Sequence, residues 1–205
     1  MNDRHILFGV LALLLLAAGG WAAYGKWGAR ESTSAASPSA APTASGPELT
    51  PGAMTGFVLA QELRPLPADL AFEGPDGIVH LDDYRGQVLL INLWAEWCAP
   101  CIEELPTLDR LAAKLAGPDF RVVPISLDSA PVEEAQAVLE KYGTSHLTTL
   151  ADRKMTVMGA LGVAGLPTTI LVDRKGRELG RFVGPADWSS PGALALVRSA
   201  IDGGA

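Results

Sequence analysis

Two cysteines, the only ones in the chain, lie between an apolar stretch and a run of residues with helical periodicity. Val88–Leu93 is apolar and partly β-branched, a pattern that predicts a strand buried on both faces of a sheet. Between Ile102 and Leu115, apolar residues recur at helical spacing. We therefore expect Cys98 and Cys101 at the point where a buried strand ends and a helix begins.

That position decides the chemistry of the cysteine pair. The first turn of a helix has backbone N–H groups without intrahelical partners, and the helix dipole favours negative charge there. A thiolate at Cys98 would be stabilised and available as a nucleophile at neutral pH. Cys101 lies one helical turn further on, close enough to form a disulfide with Cys98. The pair can therefore cycle between dithiol and disulfide through a mixed disulfide with a partner, and this redox-active disulfide requires no bound cofactor.

Other uses of the cysteine pair compete with redox exchange. A structural disulfide over so short a loop would gain little, because the benefit of closing a loop grows with its length. A structural zinc site needs about four ligands, and His5, His80 and His146 are not near the cysteines in sequence. A Cu(I) site remains open, since soft thiolates select that ion. A thiol peroxidase using Cys98 is a third reading.

The segment Trp94–Cys101 resembles the active site of thioredoxin, and its wider context resembles the membrane-anchored TlpA/ResA/CcmG branch of thiol–disulfide oxidoreductases in that superfamily. Three other motifs carry the resemblance, which extends from about Leu66 to Ile201. They are Leu81–Gly86, Glu104–Pro106 and Gly162–Thr169. The resemblance implies an α/β protein with the thioredoxin fold, a central mixed β-sheet flanked by helices, and an N-terminal β-hairpin extension.

The resemblance also implies roles for residues near the cysteines. Cys98 would attack, and the more buried Cys101 would resolve the mixed disulfide. The strand position that can carry a buried carboxylate in thioredoxins is Asn92, which cannot titrate. The branch has instead a glutamate three residues after the second cysteine, here Glu104, which shares a helix face with Cys101 and could accept its proton. Glu103 is the better candidate for an ordinary helix-terminus carboxylate.

Client contacts are implied by the same resemblance. Pro167 matches the proline that is cis and faces the cysteines, leaving the backbone of Leu166 and Thr168 free to pair with an extended client segment. Trp97 is expected either to pack over the sulfurs as an apolar contact or to belong to the core. Pro100 suits the first turn of a helix and helps to set the redox potential.

Residues 1–30 form a predicted transmembrane anchor. Ile6–Tyr24 contains no charged residue and is just long enough, at about 1.5 Å per residue, to cross a bilayer core of about 30 Å. A cleaved signal peptide is the competing reading, and small residues near Gly20 leave cleavage possible.

Residues 31–63 are predicted to be a disordered linker, because Ser32–Pro47 contains only Ser, Thr, Ala, Pro and Gly. Packing of part of Glu48–Leu63 on the following domain is left open.

Residues 64–205 form the predicted thioredoxin-like domain. A hairpin around Gly74–Gly77 should precede the central strand, and Pro106 should kink the helix after the cysteines. The remaining predicted elements alternate and then finish with a hairpin and a helix. They are strands at 120–127, 168–172 and 178–183, and helices from Pro131 to Lys141, from Asp152 to Leu161, and from Pro191, capped by Ser190, to about Ile201.

These expectations combine into a membrane-anchored protein-disulfide reductase. The net charge of −7 argues against nucleic acid as a partner. Members of the resembled branch reduce the haem-binding cysteines of apocytochrome c or the cysteines of copper chaperones, and a membrane thiol–disulfide transporter of the CcdA/DsbD type recharges them. The resemblance therefore implies a single-pass protein of the inner, cytoplasmic membrane, with its catalytic domain in the periplasm or otherwise outside the cytoplasm.

Overall fold

A mixed β-sheet of eight strands runs through residues 54–203, the part of the chain that this computed structural model describes. Its strands are β1 (Val58–Leu59), β2 (Ala71–Gly74), β3 (Gly77–His80), β4 (Val88–Trp94), β5 (Phe120–Ser126), β6 (Leu150–Ala151), β7 (Thr168–Val172) and β8 (Glu178–Val183). The helices of the same region are α1 (Ala99–Leu115), α2 (Val132–Lys141), α3 (Thr156–Ala160) and α4 (Pro191–Asp202), with a 3-10 turn at Leu81–Tyr84.

Strand β4 lies in the interior of the sheet, whose order is β1-β8-β7-β4-β5-β6-β2-β3. All seven of its residues are buried, as the apolar sequence predicted. It pairs in parallel with β5 and antiparallel with β7. Since α1 connects β4 to β5, the expected strand–helix–strand unit is confirmed, and so is the thioredoxin-like mixed sheet.

Alternate residues of β4 enter two separate cores on opposite faces of the sheet. Leu90 and Trp94 pack in a cluster with residues of α1, α2 and α4. Leu89 and Ile91 pack in a second cluster with the β2–β3 hairpin and α3. Helices therefore cover both faces, and the rigid central strand ends directly before the cysteines.

Helix α1 continues from Ala99 to Leu115 through Pro106. The proline ring removes the N–H that would bond to the carbonyl of Ile102, and the helix continues past it as expected, while the kink at Pro106 stays a prediction. Leu105 and Leu108 are completely buried against the sheet and hold the helix in place.

The predicted N-terminal hairpin is confirmed, because β2 and β3 pair antiparallel from Ala71 opposite His80 to Gly74 opposite Gly77. The boundary between linker and domain lies earlier than residue 64. Strand β1 pairs with β8 inside the predicted linker, and a Cβ atom at Gly180 would lie 2.5 Å from the Val58 carbonyl oxygen. Glycine at that position therefore allows the extra strand to approach β8 closely.

The predicted capping residues lie at the start of α4 but not of α3. Ser190 caps α4 as predicted, since its side chain accepts a hydrogen bond from the Ala193 amide at 3.3 Å. Helix α3 starts later than expected, after Met155, which has a left-handed backbone with φ of 54°. The Asp152 carboxylate still accepts a hydrogen bond from the Val157 amide at 2.7 Å, so it stabilises the start of the helix from outside.

The predicted anchor at Ile6–Tyr24 and the predicted linker at Ser32–Pro47 lie outside the described residues. Among the helices within residues 54–203, none combines the length and the apolar character needed to span a membrane.

Candidate active site

Cys98 and Cys101 form a disulfide at the start of α1, with their Cα atoms 5.3 Å apart. Cys98 is the N-cap residue of the helix, and its carbonyl oxygen accepts hydrogen bonds from the amides of Cys101 and Ile102 at 2.9 and 3.2 Å. The Cys98 residue is 6% exposed, whereas Cys101 is 0% exposed. The geometry therefore gives an incoming partner access to Cys98 and shields Cys101, as the sequence predicted.

The carboxylate of Glu104 lies one helical turn after Cys101 and is almost fully buried, with 2% of the residue exposed. Its Oε1 accepts a hydrogen bond from Asn92 Nδ2 at 2.7 Å, and its Oε2 accepts one from the Ala186 amide at 3.1 Å. Burial raises the pKa of the Glu104 carboxyl to about 7, while these two hydrogen bonds act in the opposite direction. Glu104 is therefore a buried acid that can gain or lose a proton near neutral pH.

Trp188 covers the same carboxyl from the segment that leads into α4. It also lowers the pKa of Glu104, although its buried indole nitrogen has no hydrogen-bond partner of normal geometry among residues 54–203. The effect of Trp188 on the pKa of Glu104 is therefore weaker than the effects of the hydrogen bonds from Asn92 and Ala186.

Asn92 on β4 connects the acid to the sheet. Its Nδ2 donates a second hydrogen bond to Thr169 Oγ1 on β7 at 2.9 Å. Its Oδ1 is buried and has no hydrogen-bond partner within the described part of the chain. Leaving a buried amide oxygen without a hydrogen-bond partner costs free energy.

The loop before β7 contains a cis peptide bond between Leu166 and Pro167, as the resemblance implied. Leu93 pairs with Thr168, so the start of β7 lies beside the end of β4, the strand that leads to the cysteines. Within residues 54–203, Leu166 makes no backbone hydrogen bond and is available to an extended partner. Thr168 differs from expectation, because it lies inside the sheet between Leu93 and Val183.

Trp97 is 65% exposed and is therefore neither packed into the core nor sequestered. It borders a surface groove of about 490 Å³, with Leu127, Asp128 and Met155 among the other lining residues. Pro100 occupies the first turn of α1, where a missing N–H has no cost. Trp97 therefore offers an apolar contact surface beside Cys98.

Sequence reasoning identified Glu104 but missed the residues that surround it. Asn92 was singled out only because it cannot titrate, and Ala186, Trp188 and Thr169 were not assigned to the site. Ala186 lies 82 residues after Glu104, so no local pattern connects the two. The pairing of β7 with β4 places Thr169 opposite Asn92 and is the signal that could have revealed that contact.

A strand, a cysteine pair at a helix start, a buried acid and a cis-proline loop thus meet at one end of the sheet. Residues 66–177 match the model of the AhpC/TSA family. The chain belongs to this thioredoxin-like family. Family membership agrees with the topology described above and confirms the resemblance that the cysteine motif suggested.

Relatives of this AhpC/TSA family member carry redox names. The thiol-disulfide oxidoreductase ResA of Geobacillus thermodenitrificans is 29% identical over 176 residues, which cover 86% of this chain and 85% of the relative. The thiol:disulfide interchange protein HelX of Rhodobacter capsulatus is 35% identical over 140 residues, 68% of this chain and 73% of the relative. The protein is therefore a thiol–disulfide oxidoreductase of the ResA and HelX kind.

A solved structure gives the same result for the fold. The crystal structure of a putative thiol:disulfide interchange protein DsbE from Chlorobium tepidum superposes with a TM-score of 0.59 at 30% sequence identity. The superposition covers 70% of this chain and 97% of the DsbE chain.

Proposed function

We propose that this oxidoreductase reduces disulfides in client proteins outside the cytoplasm while anchored to the cytoplasmic membrane by residues 1–30. The observation that carries the proposal is the arrangement of Cys98, Cys101 and Glu104. The nucleophile is the more accessible sulfur, the second sulfur is shielded, and a buried acid with a pKa near neutrality follows one turn later.

The first step is attack of the Cys98 thiolate on a client disulfide. A bond forms between Cys98 and one client sulfur, the client disulfide breaks, and the other client sulfur leaves as a thiolate. The free N–H groups at the start of α1 stabilise the attacking thiolate before the reaction. The exposed ring of Trp97 and the unpaired backbone of Leu166 hold the client segment across the cysteines, the latter by strand addition.

The second step is release of the client. The Cys101 thiol transfers its proton to Glu104, and the resulting thiolate attacks the Cys98 sulfur of the mixed disulfide. The bond from Cys98 to the client breaks, and the client sulfur leaves as a thiolate. Two electrons have then passed from the cysteine pair to the client, and the protein is left with the Cys98–Cys101 disulfide seen in the structure.

Another dithiol must then reduce Cys98–Cys101 before the next cycle. We assign this to a membrane thiol–disulfide transporter of the CcdA/DsbD type, and we assign the clients to apocytochrome c haem-binding cysteines or copper-chaperone cysteines. The resemblance of the motifs supports these assignments, and the names of the relatives support thiol–disulfide exchange itself. The apolar segment Ile6–Tyr24 supports the anchor, with the domain in the periplasm or the equivalent outer space.

Trapping tests the client and the chemistry together. In the full-length Cys101→Ala variant, Cys98 can form the mixed disulfide but nothing resolves it, so clients should remain covalently bound and be released by a reductant. Cys98→Ala is the matched control and should trap nothing. Absence of trapped clients, with stoichiometric Cu(I) retention or with peroxide consumption by the parent protein, would replace reduction by the corresponding alternative.

A reporter fused after Ala205 tests the location. Activity of the fusion outside the cytoplasm, in the membrane fraction, is the expected result. A cytoplasmic signal would contradict the location, and release of the fusion into the soluble fraction would show that the N-terminal segment is a cleaved signal.

A further inference from the structure

Both oxygens of Glu104 face hydrogen-bond donors. Asn92 Nδ2 donates to Oε1 at 2.7 Å and the Ala186 amide donates to Oε2 at 3.1 Å. This arrangement suits a carboxylate, which only accepts hydrogen bonds. A protonated carboxyl has an O–H that needs an acceptor, and neither partner offers one in this arrangement. Protonation of Glu104 therefore requires one of the two partners to change.

Asn92 is the partner that can change. The Ala186 amide is backbone and can only donate, whereas the Asn92 side chain has a carbonyl at its other end. That Oδ1 atom is buried and has no partner within residues 54–203. A half-turn of the amide exchanges Oδ1 and Nδ2, which occupy nearly the same space and are distinguished by the hydrogen bonds they make.

The rotated amide satisfies the protonated acid. Oδ1 then lies where Nδ2 was, and it accepts from the Glu104 O–H and from the hydroxyl of Thr169, which can donate as well as accept. One end of the Asn92 amide is unpaired in either orientation. Without the rotation, however, a neutral Glu104 would add an unpaired O–H to the unpaired Oδ1, so the rotation removes one unsatisfied buried group.

We propose that Asn92 is a positioning residue whose side-chain amide rotates each time Glu104 gains or loses a proton. The inference rests on the proposed role of Glu104 in accepting the Cys101 proton. Asn92 donates to the carboxylate that takes the proton and accepts from the carboxyl that holds it. A neutral strand residue therefore lets one buried acid work in both protonation states.

The groups within residues 54–203 that act on the Glu104 carboxyl through hydrogen bonds are neutral. They are Asn92 from β4 and, from the segment before α4, Ala186 and Trp188. On α1 itself, the nearby titratable residues are Glu103, whose side chain is exposed, and Cys98 and Cys101, which the disulfide holds without protons in the oxidised state. The oxidised protein therefore isolates the coupling between Glu104 and Asn92.

The test is an NMR titration of the oxidised full-length protein through neutral pH. It follows the side-chain carboxyl carbon of Glu104 and the side-chain amide nitrogen of Asn92. We expect both signals to move with one common midpoint, and we expect the movement of the Asn92 signal to disappear in Glu104→Gln. An Asn92 signal that stays constant while Glu104 titrates would overturn the inference.

Two variants separate positioning from a structural role. Asn92→Leu removes the donor to the carboxylate and the acceptor for the carboxyl, and the Glu104 midpoint should rise because the loss of the donor disfavours the ionised form. The pH dependence of the disulfide-exchange rate should shift to higher pH by the same amount. Thr169→Val is the matched control. It removes a partner of the amide in both orientations and keeps the Asn92–Glu104 contact, so the midpoint should stay near that of the parent.

An unchanged midpoint in folded Asn92→Leu would also overturn the inference, and the titration of the parent decides the question if that variant does not fold. Failure of the proposed function looks different. If Glu104→Gln exchanges disulfides at the parent rate and with the parent pH profile, the proton role of Glu104 is wrong whatever Asn92 does.

Discussion

Glu104→Gln should change how the stability of the oxidised protein depends on pH. Burial raises the pKa of Glu104 from its ordinary value of 4.5 to about 7, so the folded protein holds this proton more tightly than the unfolded chain does. The stabilising contribution of the neutral acid is fully present below pH 4.5 and is lost as the pH rises through about 7. Above that pH, the folded state bears the full cost of a buried carboxylate.

The size of the effect follows from the shift. A tenfold change in proton affinity corresponds to about 1.4 kcal/mol, so the shift represents a free energy of about 3 kcal/mol. Glutamine has nearly the same size and does not titrate. Its amide does place a donor opposite one of the two N–H groups that face Glu104, but that cost is constant with pH. The free energy of unfolding of the parent, measured relative to the variant, should therefore fall by about 3 kcal/mol across this range.

Urea unfolding of the oxidised parent and variant at a series of pH values measures the difference. The oxidised state is required because the disulfide prevents the cysteines from titrating. Glu103→Gln is the matched control, since it removes the same charge from an exposed neighbouring position, and its difference from the parent should remain nearly constant. Parallel curves for the parent and Glu104→Gln would refute the reasoning, because they would show that Glu104 binds its proton equally well in the folded and unfolded states.

Three further predictions concern other parts of the molecule. In the reduced protein, Cys98 should react with iodoacetamide faster than Cys101, because Cys98 lies at the helix start and is more accessible. Timed mass spectrometry of the labelled peptides measures both rates, and equal rates would contradict the assignment of Cys98 as the nucleophile. Trp97→Ala should change the free energy of unfolding by less than about 0.5 kcal/mol, because the side chain is largely exposed, but it should raise KM for a client disulfide. An unchanged KM would show that Trp97 does not contact the client. Leu105→Ala should lower the free energy of unfolding by about 2–5 kcal/mol in a denaturant titration, because this fully buried side chain fills the core between α1 and the sheet.

The parts of the site that sequence predicted are those fixed by local geometry. Val88–Leu93 is long and apolar enough to indicate a buried strand, and Cys98 follows it at a helix start. The spacing of Cys101 and Glu104 along a helix requires no tertiary information, since residues three apart share a face. Sequence alone therefore predicts those positions.

The parts that sequence missed depend on contacts between distant segments. Ala186 donates a hydrogen bond to the Glu104 carboxyl from a segment that follows β8 and lies 82 residues further along the chain. No local sequence pattern predicts such a contact. Strand β1 falls in Glu48–Leu63, where the sequence leaves packing on the domain open, because Val58–Leu59 is too short to give a periodic signal. Its pairing with β8 depends on the absence of a side chain at Gly180.

The proton chemistry of this site is controlled by exclusion of water and not by charge. Desolvation is the largest influence on Glu104, and the surrounding donors of Asn92 and Ala186 only reduce its effect. A neutral amide at position 92 fits this design, because a carboxylate there would lie within hydrogen-bonding distance of Glu104 and the two acids would share one proton. Placing the acid on α1 one turn after Cys101, with a neutral amide opposite it on the buried strand, avoids that competition between two carboxyl groups.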